Sequence, residues 1–397
     1  MKIHGYPKSA TLAVWAGENG PFWERSTQVP VVHSVSFGYD DMDQWLKVGQ
    51  GLASGHIYSR NTNPTVQAFE EKVCKLEGAE AATSFASGMA AVSNTLFTLL
   101  SPGDRIISIK DTYGGTNKLF TEFLPRFQIE ATLCDTTDHE ALEKAIASGC
   151  HLLYLESPTN PTMKVVDIAR LTKAAHAVGA LVVVDNTLAT PITQKPLELG
   201  ADLVLHSATK FLGGHADALG GVVCGQSELI QRIYHYREIT GATLDPMAAY
   251  LLLRGMKTLH LRIHQQSASA LKIARHLQAH KAVTHVFYPG LETHPQHEIA
   301  KRQMTVFGGL LGFMVKGGFE AVRSFLPRLR YAHRAANLGS VETIVGPPAM
   351  TSHVECSPEE REAMGIPESL VRYSAGIEDV DDLIADLDQA LAHVPGT

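Results

Sequence analysis

Cysteine is scarce in this chain: Cys74, Cys134, Cys150, Cys224 and Cys356 are spread through 397 residues. Their number is odd and none forms a C-x-x-C pair, so no disulfide framework and no metal site are expected, and a reducing compartment fits better. Dense basic runs are also missing. Lys and Arg total 34 against 41 acidic residues, a net charge of −7, so neither nucleic acid nor an anionic membrane surface is an expected partner. No apolar run approaches the ~18 residues of a membrane span. The start, "MKIHGYPKSATLAVWAGENG", lacks the charged head and apolar core of a signal peptide, which makes the cytoplasm the expected location. Internal repeats and low-complexity segments are absent as well.

What is present is an ordinary globular composition, 45% hydrophobic and 19% charged, in a chain long enough for one large domain and a smaller one. Residues 1–60 are Gly- and Pro-rich and carry Trp15, Phe22, Trp23, Tyr39 and Trp45. A long non-repetitive arm of this kind packs against something, and a neighbouring subunit is the expected surface. From residue 61 to 255 short apolar runs ("RIISI", "HLLYLE", "ALVVVD", "ADLVLH", "GGVVCG") alternate with helical periodicity near Thr65–Leu76, after Gly88, and in "HEALEKAI" and "DIARLTKAAHAVG". Continuous apolar runs indicate strands buried on both faces, and interleaved helices indicate a mostly parallel α/β sheet. One long helical segment follows, and residues 256–397 read as a second, smaller α/β domain. In parallel sheets ligands sit beyond the carboxyl ends of the strands, so the residues after each run are the ones to inspect.

Asp185 ends "ALVVVD" and Lys210 lies just beyond "ADLVLH". Alone, Asp185 is either a helix cap or loop anchor, or a carboxylate partner for a cationic heterocycle. Lys210 is either a solvated charge or an amine held for attack on a carbonyl. Together they match what pyridoxal 5′-phosphate (PLP) needs: a lysine for a Schiff base, an acid facing the ring nitrogen, and donors for the phosphate. Ser207 and Thr209 flank the lysine as hydroxyl donors. In "ASGMAAVSN", Ser87, Gly88 and Met89 open a helix whose free N–H groups suit an anion, although an ordinary N-cap would look the same. Tyr113, in "DTYGGT", is either a turn residue or a ring that stacks on a flat cofactor.

These residues fall in an ordered set of motifs: "YSRNTNPT", "FASGMAA", "DTYGGT", "LESPTNPT", "VVDNT", "HSATKFLGGHAD", "RGMKTLHLR" and "VRYSAGIED". The set spans nearly the whole chain and resembles the Cys/Met metabolism family of PLP enzymes: cystathionine γ-lyase, cystathionine γ-synthase, methionine γ-lyase and the O-acetylhomoserine sulfhydrylases. The resemblance implies the PLP-dependent transferase fold of the aspartate aminotransferase type (fold type I). It implies Lys210 as the covalent tether and proton shuttle, Asp185 at the pyridine nitrogen, Tyr113 stacked on the ring and Thr187 near its other face. Gly88, Met89, Ser207 and Thr209 would hold the phosphate, with Tyr58 and Arg60 reaching it from a neighbouring subunit. Arg372 would bind the substrate α-carboxylate in a two-pronged pair, assisted by Asn160. Shared sites imply a dimer, and the family pattern implies a homotetramer of two dimers.

The chain departs from that pattern at positions that bear on substrate. Asn337 stands where many members have Ser, and it resembles the O-acetylhomoserine sulfhydrylase side. Ala336 replaces the acid of cystathionine-handling members, and Gly115 replaces the cysteine of methionine γ-lyases. Arg237 and Glu238 are expected either at the mouth of the site, touching a distal substituent such as a guanidinooxy group, or as a surface ion pair. His215 and Asp217 are expected to order the loop. The expected activity is γ-elimination or γ-replacement on a γ-substituted four-carbon L-amino acid: an O-substituted homoserine first (canavanine among the oxygen-linked candidates), then a thioether such as cystathionine or methionine. A non-catalytic PLP-binding protein is the alternative, which the joint presence of Lys210, Tyr113 and Arg372 disfavours. A dehydrogenase is set aside because no G-x-G-x-x-G turn follows the first strand.

Overall fold

The computed structural model describes residues 7–18, 25–354, 357–363 and 365–394. Seven strands, β1 (Ala81–Phe85), β2 (Arg105–Ile109), β3 (Glu130–Cys134), β4 (Leu152–Glu156), β5 (Leu181–Asp185), β6 (Leu203–Ser207) and β7 (Gly221–Gly225), form one sheet in the order β1-β7-β6-β5-β4-β2-β3. All neighbours from β3 to β6 pair in parallel, and β7 runs antiparallel to both β6 and β1. The mostly parallel sheet expected from the apolar runs is present. Alternate residues feed two cores. Tyr154, Val183 and Leu205 face one side, and Leu153, Leu155, Val182 and Val184 face helices His139–Ala147 and Ile168–Ala177 on the other. Register sets Glu156 opposite Asp185, and Asp185 opposite Leu205. The carboxyl ends of β4, β5 and β6 therefore finish side by side.

Two strands of this sheet were not legible. β1 reads "AATSF", too small and polar to stand out, and β3 reads "EATLC" on the sheet edge, where it remains half exposed.

A second sheet, in the order β10-β11-β12-β9-β8, is built from β8 (Val283–Phe287), β9 (Leu310–Val315), β10 (His333–Arg334), β11 (Ile344–Gly346) and β12 (Leu370–Ser374). The single long helical segment expected before it is two helices, Pro246–Met256 and Leu259–Ala279. The second helix joins the sheets. Its Leu259 and Ile263 enter the core shared with β6 and β7, whereas Ala270, Ile273, Ala274 and Leu277 enter the core of the second sheet.

Four helices near the N-terminus matter for the site: α1 (Ser9–Trp15), α2 (Met42–Gly49), α3 (Pro64–Glu77) and α4 (Gly88–Leu99). The arm is fastened to α3 by Lys72, whose fully buried ammonium donates to the Ala13 and Val14 carbonyls and pairs with Glu18 at 2.6 Å. Asn63 and Thr65 at the start of α3 also bond to Val32 and Pro30 of the arm, whereas Trp15 at 61% and Trp45 at 47% remain exposed. Phe22, Trp23 and Cys356 lie outside the described residues. Cys74, Cys134, Cys150 and Cys224 are free thiols, and among the described residues no helix is long and apolar enough to cross a membrane.

Candidate active site

Beyond the adjoining ends of β4, β5 and β6 opens a cavity of about 280 Å³. Its lining includes Gly88, Met89, Tyr113, Asn160, Asp185, Thr187, Ser207, Thr209, Lys210, Asn337 and Arg372. Residues as far apart in sequence as Ser87 and Arg372 are thus brought into one space.

Lys210 sits in the tight turn that follows β6, held by Gly213 N–H to Ala208 O at 2.9 Å and Gly214 N–H to Lys210 O at 2.8 Å. Gly214 has φ +69°, a backbone region that favours glycine. A side chain there would also strike the Arg262 guanidinium. Arg262 is buried and donates to the carbonyls of Phe211, Leu212 and Gly255 at 2.8–3.1 Å. It locks the lysine turn onto the helix Leu259–Ala279, a role its motif "RGMKTLHLR" did not disclose. The Lys210 ammonium donates to Asn337 Oδ1 at 2.8 Å. Burial, and then the charge of Arg372, push its pKa down to about 8, so a far larger minority of the amine is neutral and nucleophilic near physiological pH than for an ordinary lysine.

Asp185 accepts the Thr187 N–H at 3.0 Å and a long hydrogen bond from the Tyr154 hydroxyl at 3.4 Å. Burial pushes its carboxyl above the usual range, opposed by the Thr187 hydrogen bonds and by the charge of His206. A buried acid in this state is suited to a cationic ring nitrogen, which would supply the missing counter-charge. Thr187 Oγ1 in turn accepts the Ser207 N–H at 2.8 Å, tying the ends of β5 and β6.

The first turn of α4 also borders the cavity. Ser87 caps the helix through the Ala90 N–H at 3.1 Å. A Cβ on Gly88 would fall 2.7 Å from Ser207 Cβ and 2.8 Å from its Oγ, so only glycine leaves the cradle open. An α-helical N-terminus flanked by the Ser207 and Thr209 hydroxyls suits an anion through its dipole and its free N–H groups. A phosphate-bearing aromatic aldehyde fits this donor set: hydroxyls and helix dipole at one end, an acid beside the ring position, and a lysine of lowered pKa between them.

Arg372, on β12, is 4% exposed and donates to Asn337 O at 2.9 Å and weakly to Asn160 Oδ1 at 3.4 Å. Burial lowers its pKa to about 10, leaving a full positive charge that faces the cavity and suits a carboxylate.

Some expected residues stand elsewhere. Tyr58 and Arg60 are exposed and do not line this chain's cavity. Glu238 is held with them rather than in the cavity: its main-chain oxygen accepts from Arg60 at 2.5 Å, and its carboxylate accepts from Asn61 and pairs with His235 at 2.8 Å. Arg237 is neither at the mouth nor a surface pair. It is buried, with Nη1 bonded to Glu70 and to Ser84 O, both at 3.1 Å, and Nη2 bonded to Asn61 O. His215 Nδ1 meets Gly213 O at 2.8 Å within the loop and is not among the cavity lining. Conversely, Glu156, Val92, Leu219, Thr351 and Ser352 line the cavity unforeseen. Glu156 was the one with a signal, since it ends an apolar strand as Asp185 does.

Comparison with known proteins agrees with this geometry. The model of the family described as "Cys/Met metabolism PLP-dependent enzyme" matches residues 10–392. An L-methionine gamma-lyase of Fusobacterium nucleatum subsp. polymorphum is 43% identical over 369 residues, covering 92% of this chain and 93% of that protein. An O-succinylhomoserine sulfhydrylase of Pseudomonas aeruginosa is 44% identical, covering 86% of this chain and 85% of its own. The crystal structure of cystathionine gamma synthase from Xanthomonas oryzae pv. oryzae in complex with cystathionine superimposes with a TM-score of 0.93 at 38% identity, over 98% of both chains. The fold is accordingly that of fold type I PLP enzymes. The chain is a PLP-dependent enzyme of the Cys/Met metabolism family.

Proposed function

We propose that this enzyme acts at Cγ of a four-carbon L-amino acid whose γ-substituent is uncharged and oxygen-linked, an O-acylhomoserine, with a small thioether second. One observation carries the reading: among the described residues, the Asp, Glu, Lys and Arg side chains of the cavity are confined to Glu156, Asp185, Lys210 and Arg372, at the proposed cofactor and carboxylate end, while the remaining lining is neutral. Val92, Leu219, Ala336, Thr116, Thr351 and Ser352 supply apolar contact and hydroxyls. Among the described residues no carboxylate lines the cavity beside Ala336 to hold the distal amino group of cystathionine or the cation of canavanine, and burying such a cation unpaired is costly. An ester fits without that penalty.

When bound, PLP supplies the electron sink that makes protons at Cα and Cβ removable. The residues of the chain do the rest. Arg372, with Asn160, fixes the α-carboxylate and so the orientation of Cα. Lys210, neutral in part near pH 8, takes and returns protons at Cα and Cβ. Asp185 would pair with the ring nitrogen, Gly88, Met89, Ser207 and Thr209 would hold the phosphate, and Tyr113 would stack on the ring and donate a proton to the departing γ-oxygen. Release as an oxoacid with ammonia is elimination, and capture by a thiol is replacement.

The cluster of Tyr58, Arg60 and Glu238, turned away from this chain's cavity, supports delivery of those side chains to a neighbouring subunit. The exposed apolar face of α2, with Met42, Trp45 and Leu46, supports the same reading, a homotetramer built from two such dimers. The test is a mass-spectrometric product screen with kinetics on O-acetylhomoserine, methionine, cystathionine and canavanine. The ordering predicts the highest kcat/KM for the neutral ester. Equal or faster turnover of cystathionine than of every O-linked homoserine would sink it.

A further inference from the structure

Glu156 ends β4 inside the cavity, yet no role above uses it. Its Oε2 accepts the Tyr113 main-chain N–H at 2.8 Å, and the main-chain N–H of Asn160 faces the same carboxyl. It is 5% exposed and stands in register with Asp185 on the adjacent strand. One side chain therefore reaches the loop that carries the ring-stacking tyrosine, the turn that carries a carboxylate contact, and the strand beside the ring-nitrogen partner. We propose that Glu156 is a positioning residue of this enzyme: its carboxyl group ties the Tyr113 loop and the Asn160 turn to the end of β4, so that the ring face and the carboxylate site keep one fixed spacing.

Two further facts sharpen this. Asn160 Oδ1 meets Arg372 Nη1 at 3.4 Å, so a shift of the Asn160 turn is passed to the arginine. Burial, and then the neighbouring Asp185, hold the Glu156 carboxyl well above the usual carboxylate range, and accepting main-chain N–H groups needs an oxygen there, not a charge. The Tyr113 loop has a second anchor outside the cavity, in which Asp111 is bonded to Lys164 at 3.0 Å and to the Thr136 hydroxyl. Loss of Glu156 is thus expected to misplace the loop and not to unfold it.

The proposal rests on the reading that PLP and the substrate carboxylate share this cavity, and the test separates the two. Apoprotein of the variants E156Q and E156A is titrated with PLP, and the reconstituted holoenzyme is then titrated with a γ-substituted amino acid followed through the cofactor absorbance. E156Q, equal in shape and uncharged, should bind both within about threefold of wild type. E156A should bind PLP but need on the order of tenfold more amino acid for half-saturation, as when a hydrogen-bonded positioning group is removed. E156Q falling as far as E156A would overturn the proposal, because a charge would then be required. E156A behaving as wild type would overturn it as well. A wild-type holoenzyme whose absorbance responds to no amino acid would overturn the underlying reading, and this inference with it.

Discussion

Gly88→Ala puts the anion site to a quantitative test. The added methyl carbon would lie 2.7 Å from Ser207 Cβ and 2.8 Å from its Oγ, whereas carbon atoms rest at about 3.5–4.0 Å. Something must yield by close to 1 Å on this scale. Ser207 is poorly placed to retreat: its Cα is only 3.1 Å from the same point, and its N–H is bonded to Thr187 at 2.8 Å. Overpacking of this size costs about 1–3 kcal/mol, and the gain in helix propensity returns at most about 1 kcal/mol. The cheapest relief separates the first turn of α4 from the end of β6, and those are the two sides of the cradle. The apoprotein should keep its fold while PLP binding weakens by roughly 5- to 150-fold, the equivalent of the strain. Titration of apoprotein with PLP, beside a thermal melt, reads both quantities. An affinity within twofold of wild type would refute the assignment of the cradle.

Three other outcomes follow from the same geometry. Because Lys210 is pushed down to about 8 and only the neutral amine attacks an aldehyde, the rate of PLP reloading onto apoprotein should climb with pH and level off above about 8. A midpoint near the ordinary lysine value would contradict the burial argument. Arg372→Lys keeps the charge but loses the two-pronged contact, so KM should rise roughly 10- to 100-fold with a smaller change in kcat, measured by initial rates. An unchanged KM would remove Arg372 from the carboxylate site. Glu18→Ala leaves the buried Lys72 ammonium without its 2.6 Å partner and should lower unfolding free energy by about 3 kcal/mol, read from the denaturant midpoint. No loss would mean that the carbonyls of Ala13 and Val14 suffice.

What could be read in advance divides along physical lines. Strands β4, β5, β6 and β7 are buried on both faces and announce themselves as apolar runs, so Asp185 and Lys210 could be placed at strand ends before any coordinates. β1 and β3 could not, because small or edge-exposed residues leave no run. Local chemistry also concealed Glu156. Its carboxyl is defined by what the chain brings against it, the Tyr113 N–H from the loop after β2 and the Asp185 carboxylate from β5. Arg237 was misjudged for the same reason. A cation beside a glutamate looks like a surface pair in sequence, and only the fold shows that Glu70 and Ser84 enclose it. Glu238 lay within reach of sequence reasoning as a charge near a site, but the side of the subunit it faces did not.

The most direct test of the account is chemical trapping of the holoenzyme. Reduction with borohydride followed by peptide mass mapping should place a phosphopyridoxyl group on Lys210, in the peptide containing "HSATKFLGG". The Lys210→Ala protein should lack the label and the yellow colour. A label on any other lysine, or a Lys210→Ala protein that stays yellow and active, would contradict the site described here.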